Sequence, residues 1–220
     1  MIDFHTHTLL SDGELIPAEH IRRAESKGYR VLGFADHGDL ATMAGILPVL
    51  IEAAKRENEL GRMTLLAGVE LTHLRPVQFA EAVRRARELG AQLVLAHGET
   101  LVEPVEPGTN RAAIEAGVDY LAHPGLISPD DVKLAAERGV CLEISGRRGH
   151  SFSNGHVARL GRELGAKLIF GSDAHDSSDM PTHDFAERLC RAAGLSESDV
   201  AAMFQNAEDL ARRAMQRRRS

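Results

Sequence analysis

The chain has 220 residues, 43% of them hydrophobic, enough to bury one sizeable core and within the range where α/β barrels remain a single domain. Its 26 Lys and Arg against 32 Asp and Glu leave a formal charge of −6, and no basic stripe interleaved with aromatics runs through it, which argues against a long nucleic-acid groove. No apolar run approaches the roughly 20 residues needed to cross a bilayer, which excludes a transmembrane helix.

In chain order, a strand at 2–6 carries DFHTH, with Asp3, His5 and His7. Side chains i and i+2 of a strand share one face, so His5 and His7 can address one metal ion together. A helix over 17–28 precedes the strand 31–36, whose run VLGFADHG closes on Asp36 and His37. A helix over 43–60 leads to the strand 64–70 in LLAGVELTH, closing on Glu70 and His73. Helices over 76–90, 110–117 and 129–138 alternate with strands at 92–96, 119–122 and 140–144, the first two followed by His97 and His123 and the third carrying Glu143. A helix over 154–165 precedes the strand 167–172, followed by Asp173 and His175. From about 180 the composition is helical to the basic end RRAMQRRRS, which reads as a solvated helix terminus favouring cations.

The punctuation is regular. Glycines 28, 61, 90, 117, 139 and 165 stand where left-handed C-caps belong, and Thr109 with Asn110, and Ser128 before Pro129, suit helix starts. RELGAQLVLAHG at 87–98 nearly repeats as RELGAKLIFGSD at 162–173, which places His97 in the register of Ser172, next to that of Asp173. Alternating βα units imply parallel strands with right-handed crossovers, and seven of them predict a closed or nearly closed (β/α)7 barrel occupying the whole chain as one domain. An open doubly wound sheet is the alternative, but its ligands gather at one switch point. Here almost every strand ends in a ligand-type residue, as at the C-terminal face of a barrel. A buried histidine is ordinarily a satisfied core residue, yet five strands ending alike go beyond that explanation. Cys141 and Cys190 are too few for a disulfide framework, and the chain opens on a strand instead of a charged and apolar leader, so a reducing cytoplasm is the expected compartment.

DFHTH with SDG, then ADHGD, GVELTH, AHGE, AHPG and GSDAH, in that order from Met1 to about Asp176, resemble the motifs of the PHP (polymerase and histidinol phosphatase) family. The chain is similar to its short stand-alone, histidinol-phosphate-phosphatase-like members and lacks the polymerase modules that accompany some PHP domains. The resemblance implies a distorted TIM-like barrel and a metal-dependent phosphatase or phosphoesterase. It implies that His5, His7, Glu70 and Asp173 hold one ion, that Glu70 bridges to a second held by His97 and His123, and that Asp12, His37 and His175 hold a third. Asp12 stands where the family often has histidine, which makes the third site the one that departs from the pattern. Two to three divalent transition metals follow, and an imidazole and carboxylate set without thiolates suits Zn, Mn or Fe. Glu70, Asp173 and His175 then carry the catalysis: a metal-bridging hydroxide, formed because a metal lowers the pKa of its water, attacks a small phosphomonoester such as histidinol phosphate or a nucleotide phosphate. Two other readings compete. A nucleic-acid phosphodiesterase or 3′-exonuclease would need a basic strand-tracking groove, and a non-catalytic metal-binding module would be expected to have lost ligands.

Other polar residues carry alternatives. SGRRGH after the sixth strand offers Arg147, Arg148 and His150 for substrate binding, because guanidinium forks match phosphate oxygens, or it is a solvated loop with surface arginines. Asp3 and Asp36 either fix imidazole tautomers or cap loops, and Glu143 either orients a ligand or forms an ion pair. His73 and His156 are extra histidines near strand-end loops, His20 and His183 read as ordinary helix or loop residues, and the acidic stretch 97–111 can shape a specificity pocket.

Overall fold

The computed structural model describes residues 1–217. Seven parallel strands follow one another in chain order: β1 (Ile2–Asp3), β2 (Val31–Phe34), β4 (Thr64–Leu71), β5 (Leu93–His97), β6 (Tyr120–Ala122), β7 (Cys141–Ser145) and β8 (Leu168–Gly171). The two edges meet where Thr6 bridges Ala174 in parallel, with the Ala174 N–H donating to the His5 carbonyl at 3.3 Å and the His7 N–H to the Ala174 carbonyl at 2.9 Å. The barrel is thereby nearly closed, as the βα alternation predicts. One strand is split: the segment expected to run to 36 ends at Phe34 and resumes as β3 (His37–Gly38), which pairs with Glu70 and Leu71 of β4. The break falls at Asp36, whose carboxylate is occupied by the loop that follows β1.

The strands' period of two sorts their residues. Alternate positions of β4, β5, β7 and β8 include Leu66, Leu93, Leu95, Cys141 and Ile169, which cluster with Tyr120, and the same rows continue upward to Glu70, His97, Glu143 and Asp173. The intervening Val69, Val94, Ala96, Leu142, Ile144 and Phe170 pack outward against the helices. On these four strands the inner face is therefore apolar below and carboxylate- or imidazole-bearing above. Gly171 permits this: a Cβ there would lie 2.7 Å from Glu143 Oε1 and 3.1 Å from His5 Cβ.

The connecting helices are α1 (Pro17–Ser26), α2 (Met43–Leu60), α3 (Phe79–Glu88, after a 3-10 turn at Pro76–Gln78), α4 (Thr109–Ala116), α5 (Pro129–Arg138) and α6 (Asn154–Leu164). The six glycines expected at helix ends all have φ between 69° and 92°. Ser128 Oγ caps α5 by accepting from Asp131 N at 3.1 Å. Thr109 and Asn110 do not cap α4. That helix starts after Gly108, and the Glu99 carboxylate reaches over to accept from the N–H groups of Gly108 and Asn110 at 3.0 and 2.9 Å.

The C-terminal segment forms α7 (His183–Ala192) and α8 (Glu197–Gln216), and α8 lays Ala207, Leu210, Ala211 and Ala214 against Ile2, Phe4 and Val31. Of the basic end, residues 218–220 lie outside the described residues. Arg217 is not simply solvated: its Nη1 donates to Asp119 Oδ1 at 2.7 Å and to the Gln92 carbonyl at 2.9 Å. Among the described residues no helix is long and apolar enough to cross a membrane.

Candidate metal centre

All nine residues expected as ligands meet at the C-terminal mouth of the barrel. Glu70 Oε2 lies 2.9 Å from His37 Nδ1, 3.4 Å from His5 Nε2 and 3.7 Å from His7 Nε2, while its Oε1 lies 3.5 Å from His123 Nε2. Asp173 Oδ1 lies 3.2 Å from His7 Nε2 and 3.5 Å from His5 Nε2, and its Oδ2 lies 3.8 Å from His123 Nε2. Asp12 Oδ2 lies 3.1 Å from His175 Nε2 and 3.5 Å from His37 Nε2, and its Oδ1 3.9 Å from His7 Nδ1. Metal bonds of about 2.0–2.2 Å hold two ligand atoms of one ion about 3.0–3.6 Å apart, the spacing that recurs here.

The donor set fits divalent cations for a second reason. His5 Nε2, both ring nitrogens of His7, both oxygens of Glu70, Asp173 Oδ1 and His123 Nδ1 are buried without a hydrogen-bond partner. Each such group costs about 1–3 kcal/mol if nothing answers it, and a shared cation answers several at once. Backbone strain gathers at the same place. His123 and Asp173 have φ of 27° and 55°, and non-glycine residues hold such conformations at a cost of about 1–3 kcal/mol where the fold over-determines them.

Hydrogen bonds on the far ring nitrogens aim the imidazoles. His5 Nδ1 donates to Glu143 Oε2 at 2.9 Å, His175 Nδ1 to the Asp173 carbonyl at 2.9 Å, and His97 Nδ1 to the Gly98 carbonyl at 3.2 Å, each leaving Nε2 for the centre. Glu143 thus stands behind His5, on the ring nitrogen turned away from the centre. Asp3 and Asp36 serve the backbone: Asp3 Oδ1 accepts from His5 N and Ser172 N, stapling the two barrel edges, and Asp36 Oδ1 accepts from Thr8 N and from the hydroxyls of Thr8 and Ser11.

Burial opposes charge throughout, and neighbours decide who keeps it. Burial pushes Glu70 up, but His5 and His37 outweigh it and hold the carboxylate well below its usual range. Burial alone dominates at His7, whose pKa falls to about 3, so this imidazole is neutral and ready to ligate. At His5 burial is overcome by Glu143, Asp173 and Glu70, which raise its pKa well above the ordinary histidine value.

The SGRRGH loop divides. Arg147 borders the central cavity of about 250 Å³, with Nη1 donating to the Asp173 carbonyl at 3.2 Å and to Asp179 Oδ2 at 3.0 Å. Arg148 is exposed and lines a neighbouring depression of about 480 Å³ with Thr182 and Phe185. His150 is buried, with its ring stacked on His123 at 4.0 Å and Nδ1 2.6 Å from Thr100 Oγ1. It therefore sits among the ligand-type side chains.

Glu103 was not legible in the sequence beyond its place in the acidic 97–111 stretch, yet it contacts His73, His97 and His150. Of the remaining histidines, His156 Nε2 donates to the Ile127 carbonyl at 2.8 Å, and His183 is exposed beside Glu187. His20 is a core residue, fully buried edge-on to Phe34 with neither ring nitrogen partnered.

The PHP domain model matches residues 3–123, and an uncharacterized protein of Methanocaldococcus jannaschii is 40% identical over 200 residues, covering 90% of this chain and 92% of that one. The chain belongs to the PHP domain family. As a PHP protein it is a metal-dependent hydrolase. A protein of Thermoanaerobacter named a probable phosphatase is 27% identical over 223 residues, with 91% of this chain and 89% of the relative covered. Among solved structures, a chain of archaeal ribonuclease P with mature tRNA superposes with a TM-score of 0.76 at 16% identity, covering 99% of this chain and 93% of that chain. A provisionally named histidinol phosphatase of Listeria monocytogenes gives 0.60 at 13% identity, covering 83% and 98%. Both structural likenesses are likenesses of fold.

Proposed function

We propose that this PHP protein is a cytoplasmic phosphatase of small phosphomonoesters, with histidinol phosphate-like compounds or nucleotide phosphates as substrates. The observation that carries the reading is one small cavity of about 250 Å³, lined by polar and charged residues, in which strand-end histidines and Asp173 meet Arg147. Ligand pockets commonly run to about 300–1,000 Å³, so this one suits a phosphoryl group and little more.

Two or three divalent ions, Zn, Mn or Fe, held by His5, His7, Glu70 and Asp173, by His97 and His123, and by Asp12, His37 and His175, would supply Lewis acidity and an acidified water. Glu70 joins the first two groups, because its two oxygens face different histidines. Glu143 and the Asp173 and Gly98 carbonyls keep imidazole Nε2 atoms aimed inward. Arg147 faces the developing phosphoryl charge from the rim with a fixed guanidinium, held by the Asp173 carbonyl and Asp179. His175, whose Nε2 lies 3.1 Å from Asp12, would act through the third ion as one of its ligands. The free, buried Cys141 and Cys190 suit a reducing compartment, and residues 1–220 serve as one catalytic unit.

The test is turnover by metal-analysed protein on a panel of phosphomonoesters, including histidinol phosphate and nucleotide monophosphates, alongside a phosphodiester and a single-stranded oligonucleotide. Monoester hydrolysis ahead of the diesters by 100-fold or so in kcat/KM supports the reading, a rate ratio of about 3 kcal/mol. Preference for the oligonucleotide overturns it in favour of a nucleic-acid phosphodiesterase.

A further inference from the structure

The loop between β5 and α4 is pinned at both ends. Glu99 caps α4, Thr100 Oγ1 meets His150 Nδ1, and Val102 packs so close to Gly149 that a Cβ there would lie 3.3 Å from its Cγ1. Between these anchors Glu103 is directed into the mouth of the barrel. Its Oε2 is 3.1 Å from both His97 Nε2 and His73 Nε2, and its Oε1 is 3.3 Å from His150 Nε2.

His97 Nδ1 must donate, because its partner is the Gly98 carbonyl, so Nε2 of the neutral ring carries a lone pair. A carboxylate oxygen can only accept. Two lone pairs facing each other at 3.1 Å need either a proton on the ring or a metal ion between them, and the distance is also the one at which two ligand atoms share an ion. His73 adds a second indication: it holds φ at 53°, a left-handed conformation that costs a non-glycine residue energy, and its Nε2 meets the same oxygen.

We propose that Glu103 is a metal ligand borne on this loop, sharing a divalent ion with His97 and His73 and tying the loop over the cavity. The proposal rests on the metal-dependent reading of the centre and adds two ligands to it. It also makes metal loading and loop closure one event.

The test uses the full chain, stripped with a chelator and titrated with Co²⁺ alone, following the ion's visible spectrum and its competition with a chromophoric chelator. Glu103→Gln and His73→Ala should each weaken one ion by about 10-fold or more, and together by less than the product of the two effects. Glu106→Gln, an exposed carboxylate on the same loop, should leave binding unchanged. Hydrogen exchange of residues 100–103 should slow on Co²⁺ binding in the parent chain and not in Glu103→Gln. Unchanged affinity and stoichiometry in Glu103→Gln would overturn the proposal and leave the contact as a carboxylate on protonated imidazoles. Equal losses in Glu106→Gln would overturn it too, since long-range charge would then suffice. Because no substrate enters these titrations, a blank phosphatase panel leaves the Glu103 result standing, and a flat Glu103→Gln titration leaves the phosphatase reading standing.

Discussion

Glu143 offers the sharpest separation of orientation from ligation. Its carboxylate is fully buried, 2.9 Å from His5 Nδ1, and is wedged against Gly171, where no side chain intervenes. It is not itself placed among the proposed ligands, so any effect of its removal on metal binding passes through His5. Glu143→Gln keeps an oxygen able to accept the Nδ1 proton and loses only the charge that makes His5 a stronger donor to metal. Glu143→Met is close in volume and removes the acceptor, leaving a buried N–H unpaired at about 1–3 kcal/mol. Carboxylates behind metal-bound histidines are worth about 10–100-fold in affinity, about 1.4–2.7 kcal/mol. The expected order in a competition titration with Zn²⁺ is therefore parent, then Glu143→Gln, then Glu143→Met, spread over one to two decades for the tightest ion. Affinities of all three within threefold of one another would refute an orienting role and return Glu143 to a structural ion pair.

Other outcomes follow from the same geometry. Asp12→Ala should lower metal stoichiometry by one, by elemental analysis, while the ions at His5, His7, His97 and His123 stay bound, because one Asp12 oxygen faces both His37 and His175; full stoichiometry would mean that other residues hold the third ion. Arg147→Ala should cut kcat/KM on the best panel substrate by about 30- to 1000-fold, about 2–4 kcal/mol, whereas the exposed Arg148→Ala should change it less than about threefold; equal losses would place the substrate in the neighbouring depression instead. His20 should make the fold acid-sensitive, since burial lowers its pKa from 6.5 to about 4. Its contribution is intact above pH 6.5 and is lost as the pH falls toward 4, because the unfolded chain protonates first. At 1.36 kcal/mol per unit this reaches about 3 kcal/mol. The difference in urea-unfolding free energy between the parent and His20→Leu should therefore shift by that order between pH 7 and 4, and a difference flat with pH would show that His20 is solvated.

The barrel and the strand-end positions of its ligand-type residues were legible because both are consequences of period. The βα alternation put Glu70, His97 and Asp173 at or just beyond strand ends at the C-terminal mouth, while their grouping as ligands came from the resemblance of the ordered motifs to the PHP family. Residues off that lattice were not so placed. Glu103 rides on a loop whose path is set by a distant cap, Glu99 on α4, and by a hydroxyl contact to the loop after β7, neither of which has a sequence spacing. The same limit explains Asp3 and Asp36, which sit beside ligands in the chain yet spend their oxygens on backbone N–H groups and hydroxyls of neighbouring segments. It explains His20 as well, since helix periodicity shows that a position faces the core but not whether a partner waits there. Strand-end positions thus follow from the alternation of elements, while loop-borne chemistry depends on tertiary closure. In this fold that puts most of the ligand-type side chains at the strand ends and Glu103, above His97, on the loop between β5 and α4.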